Sequence, residues 1–494
     1  MQRRTPEEKE YMRPRGAQST FSGVTMPGIL DHLPLVWTPS DPRCEAVVIV
    51  PAKNEAETIQ STLRALAYQY DACGRPLDYT RYEVLLLCNN STDASAYLAR
   101  QFAMQHPTFA LQVIEVTLAP ANANVGYARR LLMNEACRRL HALGRPRGVI
   151  CSTDSDTCVA PTWLAATLDA VQRGADAVGG RIQTSVADRK AMPPALRDYY
   201  LRDVAYQYFA AELEAMLDPD PHDPWPRHHQ HFGASFAITA AMYERIGGLP
   251  RVPVFEDAAL YRTLTQVDAR VRHTPAVCVV TSARRTGRAE GGMAVTLAGW
   301  EALGAVPPPL RVDNLPSLEA RFRARRQLRI LWQEGQRGDT FGNDTTARIA
   351  RACAVEPRWL TNALRQYESF GTLYEATIAR GKDECHRDGP STLIDIAEAV
   401  VHLRMRLAPS RATRQQSLAG SIQQPLPEVE AIGRRTLPNA MIETGSFPPS
   451  KERVDIIAGQ DTLVDPWRPV DEKQVPARYE MRRDARPERP QIIQ

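Results

Sequence analysis

The stretch GVICSTDSDTCVAP, residues 148–161, decides how this chain folds. Its apolar beginning is typical of a buried strand, and the strand ends in two aspartates separated by one residue, Asp154 and Asp156. Open α/β sheets bind ligands beyond the carboxyl ends of their strands. Two carboxylates at that place can hold one hard divalent cation, which keeps coordination sites for phosphate oxygens. The stretch therefore predicts a metal–diphosphate site, and the alternative is an acidic pair that caps the next helix.

Length and composition limit what the chain can be. At 494 residues it exceeds what one hydrophobic core usually supports, so we expect one large domain with additional material, or two domains. The 61 basic and 57 acidic residues give a formal charge of +4, which is too balanced to indicate a nucleic-acid partner. The 9 cysteines include no C-x-x-C pair, which argues against a zinc site or a disulfide framework.

The N-terminus, MQRRTPEEKEYMRPRG, has acidic residues and lacks the apolar segment of a secretory signal, and a transit peptide does not fit either. No apolar window is long enough to cross a bilayer, so we expect no transmembrane segment. These features favour a soluble, cytoplasmic protein with reduced thiols. They leave room for a peripheral contact with the inner membrane surface.

Composition divides the chain into four zones. Residues 1–43 form a polar N-terminal extension that ends in the apolar LPLVW, residues 33–37. Residues 44–290 alternate β-rich runs with helical patterns, and residues 291–408 are predicted to be a helical C-terminal region. Residues 409–494 are rich in Pro, Arg, Glu and Gln, which predicts a largely disordered tail.

Within residues 44–290, strand-like runs are separated by helical patterns of about ten to fifteen residues, which is typical of an α/β fold. We expect a mostly parallel, open sheet with helices on both faces. The predicted strands are AVVIV (46–50), YEVLLL (82–87), LQVIEV (111–116), GVICS (148–152), DAVGGRI (176–182) and PAVCVV (275–280).

Polar turns follow the first two of these strands. In VPAKNEAETI, residues 50–59, Pro51 ends the strand and Asn54 can cap the next helix. In CNNSTD, residues 88–93, a serine, threonine or aspartate can do the same. Each turn alone is an ordinary helix start. Together with the D-x-D pair they lie at one edge of a parallel sheet, which is the usual place for a nucleotide.

Six segments, in order and spacing, resemble the inverting family 2 glycosyltransferases of the GT-A fold, which use nucleotide-sugar donors. The resemblance covers about residues 44–290. It implies a GT-A domain, a nucleotide-sugar donor and a divalent cation, Mg²⁺ or Mn²⁺, as cofactor. The segments are VPAKNE, the NNSTD turn, NVGYARRLLMNEA, STDSDT, FGASFAITAAMYERIGGLP and FEDAAL.

The resemblance assigns donor-binding roles to residues near the first two strands. Pro51, Ala52 and Glu55 would border the nucleobase and the ribose. Asn89 stands where the family commonly has an aspartate that touches the base. An asparagine can still bond a base edge, but the replacement leaves the nucleotide open.

A second group of donor-binding residues follows from the N-x-G segment of the family. Asn124, Gly126 and Arg129 would line the diphosphate and the sugar. Glycine permits close approach of the backbone, and arginine near a helix N-terminus adds positive charge for phosphate. The alternative is a plain helix start with surface arginines.

The resemblance makes Asp154 and Asp156 the metal pair, because a cation there would stabilise the negative charge that the leaving diphosphate gains. Asp257 of FEDAAL would be the general base that takes the proton from the acceptor hydroxyl, with Glu256 as a supporting acceptor. The head of the helix EDAALYRTLTQ favours negative charge at that place. The alternative for this pair is an ordinary acidic first turn.

Two further segments belong to the expected site. Gly233, in FGASFAIT (232–239), would lie beneath the donor sugar and the acceptor. In TSARRTGRAEGG (281–292), Arg284, Arg285 and Arg288 could clamp an anion, and we assign Arg285 to the donor; the alternative is a basic solvated loop. Many GT-A enzymes have a metal-binding histidine near this point; none stands here, so a third ligand is unassigned.

The loop DPDPHDPWPRHHQH, residues 218–231, is crowded with proline and histidine. Its spacing fits no zinc pattern. We expect a mobile lid over the acceptor, with Trp225 stacking on a sugar or an apolar group.

The predicted function is therefore an inverting, hexosyltransferase-like transfer of a sugar from a nucleotide-diphosphate donor to a hydroxyl acceptor. The acceptor, whether a small molecule, a lipid carrier or a glycan, is not determined. One alternative is a sugar-1-phosphate nucleotidyltransferase, but its Gly-rich loop after the first strand is missing. The other is a non-catalytic nucleotide-sugar-binding or assembly protein of the same fold, against which the presence of Asp154, Asp156 and Asp257 argues.

Overall fold

The computed structural model describes residues 34–252, 254–287, 292–304, 308–338, 342–385 and 393–422. The chain divides into two units, Met1–Ala408 and Pro409–Gln494. Of the second unit the described part is the end of one helix, so the predicted disordered tail lies almost entirely outside the described residues. The four zones drawn from the composition stay a prediction.

Eight strands form one sheet in the first unit. They are β1 (Ala46–Ala52), β2 (Tyr82–Asn89), β3 (Leu111–Val116), β4 (Val149–Thr153), β5 (Thr157–Val159), β6 (Ala177–Thr184), β7 (Ser235–Thr239) and β8 (Val271–Thr281). Across the sheet they follow the order β3-β2-β1-β4-β7-β6-β8-β5. The first four strands in this order are parallel to one another, and β6 is parallel to β8. The mostly parallel sheet predicted from the sequence is confirmed.

Helices cover both faces of this sheet, as predicted. One face carries α1 (Ile59–Ala67), α2 (Ser95–Gln105) and α4 (Trp163–Gln172), and the other carries α3 (Val125–Ala142), α7 (Ala240–Arg245) and α8 (Glu256–Gln266). All seven residues of β1 are buried, because alternate side chains enter the two cores. A strand covered on both faces needs apolar residues at every position, which is why AVVIV is continuous rather than alternating.

Two strands of this sheet were not predicted, β5 and β7. Strand β7 lies between β4 and β6 and runs antiparallel to both. Its sequence, SFAIT, has polar residues at both ends and only three apolar residues between them, so its apolar run is too short to be recognised. The reversal at β7 matters for function, since it returns the chain to the end of β4.

The rest of the described chain is helical, in agreement with the predicted C-terminal region. It contains α5 (Val186–Ala191), α6 (Pro194–Leu217), α9 (Met293–Ala302), α10 (Leu315–Gln336), α11 (Asn343–Ala352), α12 (Pro357–Gln366), α13 (Phe370–Cys385) and α14 (Ile396–Ile422). A small antiparallel sheet joins β9 (Arg311–Asp313) to β10 (Leu393–Asp395). None of the helices in the described part combines the length and the apolar character needed to cross a bilayer.

Helix α13 is fastened to the end of α8. The carboxylate of Asp268 accepts hydrogen bonds from the backbone N–H groups of Phe370 at 2.7 Å and Gly371 at 2.8 Å. Arg262 on α8 pairs with Glu375 on α13. Since α8 begins with Glu256 and Asp257, the helical region helps to hold the element that carries the predicted base.

A buried ion pair ties α3 to the sheet. Arg139 donates through Nε to Glu83 Oε1 at 2.7 Å and through Nη2 to Oε2 at 2.5 Å, and both side chains are at most 5% exposed. The same guanidinium donates to the carbonyl of Thr38, while Leu35 and Val36 pack near this end of α3. The pair therefore fixes the described part of the N-terminal extension as well as the helix.

Replacing Arg139 with Met should lower the free energy of unfolding by about 3 to 5 kcal/mol, because Glu83 would stay buried without its partner. The double variant Arg139→Met with Glu83→Leu should recover most of this loss, since no buried charge is left unpaired. Denaturant titration of the three proteins measures both values. Equal destabilisation of the single and the double variant would show that packing, not charge, is what the pair supplies.

Candidate active site

The sheet brings the predicted site residues to the carboxyl ends of its parallel strands. Residues 154–156 form the turn between β4 and β5, directly after Thr153. Thr153 pairs with Ser235, the first residue of β7, and donates its hydroxyl to the carbonyl of Ala234 at 2.9 Å. The antiparallel β7 therefore places the segment 232–234 beside the D-x-D turn, as the site requires.

Arg129 is the centre of this arrangement. Its Nη2 donates to Asp154 Oδ1 at 2.6 Å, and its Nη1 donates to Glu256 Oε1. The side chain is only 6% exposed. Burial opposes the charge, but the carboxylates of Asp154, Glu256 and Asp257 outweigh that effect and raise the pKa of Arg129. One guanidinium thus joins the first aspartate of D-x-D to the acidic pair at the head of α8.

Gly233 packs directly against this guanidinium. A Cβ atom at residue 233 would lie 2.4 to 2.6 Å from the terminal atoms of Arg129. The backbone N–H of Gly233 donates to Asp257 Oδ2 at 3.0 Å, and the N–H of Ala258 donates to Oδ1 at 2.8 Å. A residue without a side chain is needed here, because Arg129 and Asp257 both approach the same stretch of backbone.

The second aspartate of the motif has a different arginine. Arg284, in the loop after β8, donates through Nη1 to Glu55 Oε2 at 2.8 Å and through Nη2 to Glu55 Oε1 at 2.6 Å. The same Nη2 lies 3.1 Å from Asp156 Oδ2. Each aspartate of D-x-D therefore contacts a guanidinium of the protein.

Asp156 nevertheless lies in a site that disfavours its charge. Burial and the neighbouring Asp154 raise the pKa of Asp156 to about 6, although Arg284 acts in the opposite direction. Among the described contacts, Arg129 joins Asp154 to Glu256, and Arg284 joins Glu55 to Asp156; we call these four carboxylates the acidic cluster. The two aspartates of D-x-D lie close enough for Asp154 to disfavour the charge of Asp156, an effect that an added cation would relieve.

The two polar turns hold each other at the same edge of the sheet. Asn54 has a left-handed backbone, with φ of 54°, and its Oδ1 accepts from the N–H of Thr92 at 2.7 Å. Asn54 therefore holds the second turn. The prediction that its side chain caps α1 is wrong, since the residue at the N-cap of that helix is Thr58. Asp93 accepts from the N–H groups of Ser95 and Ala56, which joins the head of α2 to the first turn. These contacts join the two turns into one unit, residues 50–59 and 88–93, which we call the floor of the site.

The remaining donor candidates lie around this floor. Pro51 and Ala52 end β1, Asn89 ends β2, and all three are buried. Asn124 caps α3 by accepting from the N–H of Tyr127 at 2.9 Å, and Gly126 in the first turn of α3 faces Glu256. The structure thus brings them to the same edge as Asp154, and their donor-binding roles stay predictions.

Two basic residues of the loop after β8 have other positions. Arg285, which we assigned to the donor, pairs through Nε with Glu301 of α9 at 2.8 Å. Arg288 lies outside the described residues. Of the two described arginines in this loop, Arg284 is the one that contacts the acidic cluster, and nothing in the sequence distinguishes it from its neighbour.

The loop 218–231 does not have the loose packing expected of a lid. Asp218 is buried and contacts Arg325 and Arg329 of α10, while Asp223 accepts from His273 Nδ1 at 2.8 Å. Trp225 packs edge-on against Tyr208, at 5.8 Å between ring centres. Buried acidic side chains with arginine and histidine partners anchor this loop to the body of the unit.

Of the histidines at the end of this loop, His228 is buried and His229 and His231 are half-buried, and all three lie near His273. Burial and the nearby His273 lower the pKa of His228 to about 3 and those of His229 and His231 to about 4, so these imidazoles are neutral at pH 7. His231 stacks on Tyr261 of α8 at 3.7 Å. Among the described residues no group of three or more His, Cys, Asp or Glu side chains has the arrangement of a metal site.

Gly233→Ala should destabilise the chain by about 1 to 3 kcal/mol, because the added methyl displaces a buried guanidinium that two carboxylates hold in place. Gly299→Ala is the matched control: a Cβ there meets no atom within 4 Å, and alanine is the better helix former. Thermal and denaturant unfolding of both variants measure the effect. Equal stability of Gly233→Ala and the parent chain would show that Arg129 moves aside at no cost.

Comparison with known proteins agrees with this geometry. The family described as glycosyl transferase family 2 matches residues 47–226, which include Glu55, Arg129, Asp154 and Asp156 and end before Asp257. No curated protein matches the chain.

Several solved structures are similar in outline. The mannosyltransferase PcManGT from Pyrobaculum calidifontis, in complex with GDP-Man and Mn²⁺, is 20% identical, with 78% of this chain and 84% of that chain covered and a TM-score of 0.33. TarS 1-349 from S. aureus in complex with UDP-GlcNAc is 14% identical, with 71% and 96% covered and a TM-score of 0.35. Likeness at this level assigns neither a donor nor an acceptor.

The family match includes four of the six segments that carry the resemblance in the sequence, and FGASFAITAAMYERIGGLP and FEDAAL lie beyond its end. The sheet and its flanking helices have the arrangement that the resemblance predicts. Residues 47–226 are therefore similar to glycosyl transferase family 2, and the mostly parallel sheet with helices on both faces has the architecture of a GT-A fold.

Proposed function

We propose that this chain is an inverting glycosyltransferase that moves a sugar, of the hexosyl class, from a nucleotide-diphosphate donor to a hydroxyl acceptor with the help of a divalent cation. The observation that carries the proposal is the bridge of Arg129. It joins Asp154 of the D-x-D turn to Glu256, and so brings the metal-binding motif and the predicted base, Asp257, into one site. A transfer reaction needs both parts on opposite sides of the donor sugar.

The residues at the D-x-D turn fit a hard cation. Arg129 contacts Oδ1 of Asp154, and Arg284 contacts Oδ2 of Asp156. The other oxygen of Asp156, Oδ1, accepts a long hydrogen bond from the hydroxyl of Thr157 at 3.5 Å, which leaves a lone pair for a cation. Mg²⁺ and Mn²⁺ take carboxylate ligands and complete their shell with phosphate and water. When bound, the cation would stabilise the charge of the leaving diphosphate. The raised pKa of Asp156, caused by burial and then by the charge of Asp154, supports the same assignment, because a cation would favour the ionised form.

The donor side of the proposal rests on residues at the edges of β1, β2 and α3. Pro51, Ala52, Glu55 and Asn89 would bind the nucleoside, and Asn124 and Gly126 would lie along the diphosphate and sugar. Arg129 is too deeply buried to be mainly a ligand of the phosphates, since its guanidinium is 6% exposed. We assign it instead the positioning of Asp154 and Glu256.

Asp257 is proposed as the general base. Two backbone N–H groups, of Gly233 and Ala258, hold its carboxylate in one orientation at the head of α8. A fixed orientation is what proton transfer from an acceptor hydroxyl requires. Glu256 points to Arg129 and supports the base through the position of the helix.

A second function, nucleotide-sugar binding without transfer, has one observation in its favour. Both aspartates of D-x-D contact an arginine, so the site could bind a nucleotide without added metal. A thermal-shift screen of UDP-, GDP- and dTDP-sugars with and without Mn²⁺ distinguishes the two. Stabilisation that needs Mn²⁺, followed by donor hydrolysis or transfer, supports the enzyme; metal-independent stabilisation without turnover supports the binding protein.

The affinity for Mn²⁺ should fall as the pH is lowered through about 6. The carboxyl of Asp156, with its raised pKa of about 6, is protonated below that value, and a protonated carboxyl must lose its proton before it binds a metal. Affinity measured by calorimetry should be nearly constant above about pH 7 and should drop by up to about tenfold per unit below pH 6.

Asp156→Ala should abolish metal-linked nucleotide binding with the fold intact. Unchanged metal affinity in that variant would place the metal elsewhere.

Asp257→Asn should lower turnover by about 10² to 10⁴, because general-base catalysis typically contributes that factor. Donor affinity should stay the same, since the base faces the acceptor. Asp169→Asn is a control for loss of an acidic charge, because Asp169 forms an exposed pair with Arg173 on α4. NMR of the product gives the anomeric configuration. Retention at the anomeric carbon, or near-normal turnover of Asp257→Asn, would contradict the assignment.

A further inference from the structure

Arg284 contacts two carboxylates of the acidic cluster in the free protein. Its guanidinium makes a two-pronged contact with Glu55, which is 5% exposed, and reaches Asp156, which is 14% exposed. The hydrogen bonds from Arg284 to Glu55 are the main cause of the raised pKa of Arg284. The positive charge of Arg284 therefore lies where a cation at the D-x-D turn would also lie.

The partners of Arg284 are fixed by the fold, whereas Arg284 stands on a loop. Glu55 Oε2 accepts from the hydroxyl of Thr58 at 2.9 Å, and the backbone N–H of Glu55 donates to Ser95 Oγ at 2.7 Å. Asp156 precedes β5, and its carbonyl accepts from the N–H of Ser282. Arg284 follows β8 and is 27% exposed. Of the groups in this contact, the long arginine side chain is the one that can move.

We propose that Arg284 is a displaceable counter-ion of the acidic cluster. In the free protein it neutralises Glu55 and Asp156, and a divalent cation competes with it for Asp156. When a nucleoside diphosphate binds together with the cation, the guanidinium leaves Asp156 and contacts the diphosphate oxygens. This inference rests on the proposed function and adds an order to it: metal alone binds weakly, and metal with nucleotide binds tightly.

The exchange follows from charge and geometry. A divalent cation beside Asp156 repels a guanidinium 3.1 Å from the same carboxylate, so the two cannot share it without loss. A diphosphate supplies the paired oxygens that a guanidinium prefers, and it also ligates the cation. The nucleotide thereby removes the competitor of the metal. Thermodynamic linkage requires the effect to be mutual, so the metal must raise nucleotide affinity by the same factor.

The test is Arg284→Gln, with calorimetry of Mn²⁺ alone and of UDP and GDP in the presence of Mn²⁺. Removing the competitor should tighten the binding of Mn²⁺ alone by about threefold to tenfold, the usual range for a partly exposed charge contact. The better-bound diphosphate of the two should bind about tenfold or more weakly, because its arginine contact is lost. A residue with a merely structural role would weaken both.

Arg81→Gln is the matched control. Arg81 makes the same two-pronged contact with Glu45 at 3.3 and 2.8 Å, at the opposite end of β2 from the site. Its loss should change neither affinity. Arg284→Lys is the second variant, in case the glutamine protein does not fold. A lysine pairs with one carboxylate at a time, so it competes less well for Asp156 than an arginine that contacts both Glu55 and Asp156. The Arg284→Lys variant should therefore also bind Mn²⁺ more tightly than the parent chain.

The outcomes separate the two levels of the proposal. Tighter Mn²⁺ with weaker diphosphate binding in a folded Arg284 variant supports the exchange. A parent chain that binds both Mn²⁺ and diphosphate, with Arg284 variants that bind Mn²⁺ no more tightly, overturns the exchange and leaves the proposed function standing. A parent chain that binds neither UDP nor GDP with or without Mn²⁺ overturns both.

Discussion

The site depends on one buried guanidinium, that of Arg129. Taking a charge out of water costs several kcal/mol, and the cost is met only when carboxylates surround the charge with good geometry. Asp154 and Glu256 do so from the end of β4 and the head of α8, which are 102 residues apart in the chain. An arginine is needed because a lysine cannot present two donors to two carboxylates in a fixed plane. The positions of α3, β4 and α8 are thus coupled through a single side chain.

The same guanidinium explains why the segment before β7 has a glycine, Gly233, next to it. The chain must pass over Arg129 on its way to β7, and Gly233 leaves room for it while its N–H holds Asp257. The antiparallel register of β7 with β4, in which Ser235 lies opposite Thr153, determines which residues of the segment 232–234 contact Arg129. A conformational change that breaks the Arg129 bridge would disturb Asp154 and the head of α8 together. The proposed metal pair and the proposed base therefore belong to one structural unit.

How much of this the sequence could predict differs between elements. The parallel strands were predictable because burial on both faces makes each of them a continuous apolar run, as in β1 and β4. The D-x-D pair was predictable because it follows such a run directly. Strand β7 was not predictable, since its five residues, with polar residues at both ends, are too few to show the alternation or the apolar run that is typical of a strand. Its presence is decided by the neighbours β4 and β6, not by its own composition.

The choice between Arg284 and Arg285 lay beyond the sequence for a different reason. Both belong to one loop and have the same chemistry, and their partners, Glu55 and Glu301, lie 229 residues before Arg284 and 16 after Arg285. Which side chain turns inward depends on how the end of β8 is held against Thr157 and Asp156, which is a property of the folded sheet. Likewise, the anchoring of the loop 218–231 depends on α10, whose arginines reach Asp218 from more than 100 residues away.

The charge balance of the site connects its structure to its chemistry. Burial, and next to it the charge of Asp154, raise the pKa of Asp156 to about 6. A raised pKa means that the ionised carboxylate is less favourable in the folded chain than in the unfolded one, so Asp156 costs stability above about pH 6. A divalent cation at the proposed metal pair would favour the ionised form of Asp156, and it would in turn attract an anion such as a diphosphate. Under the proposed function, the binding of both ligands would offset the folding free energy that the ionised Asp156 costs in the free protein.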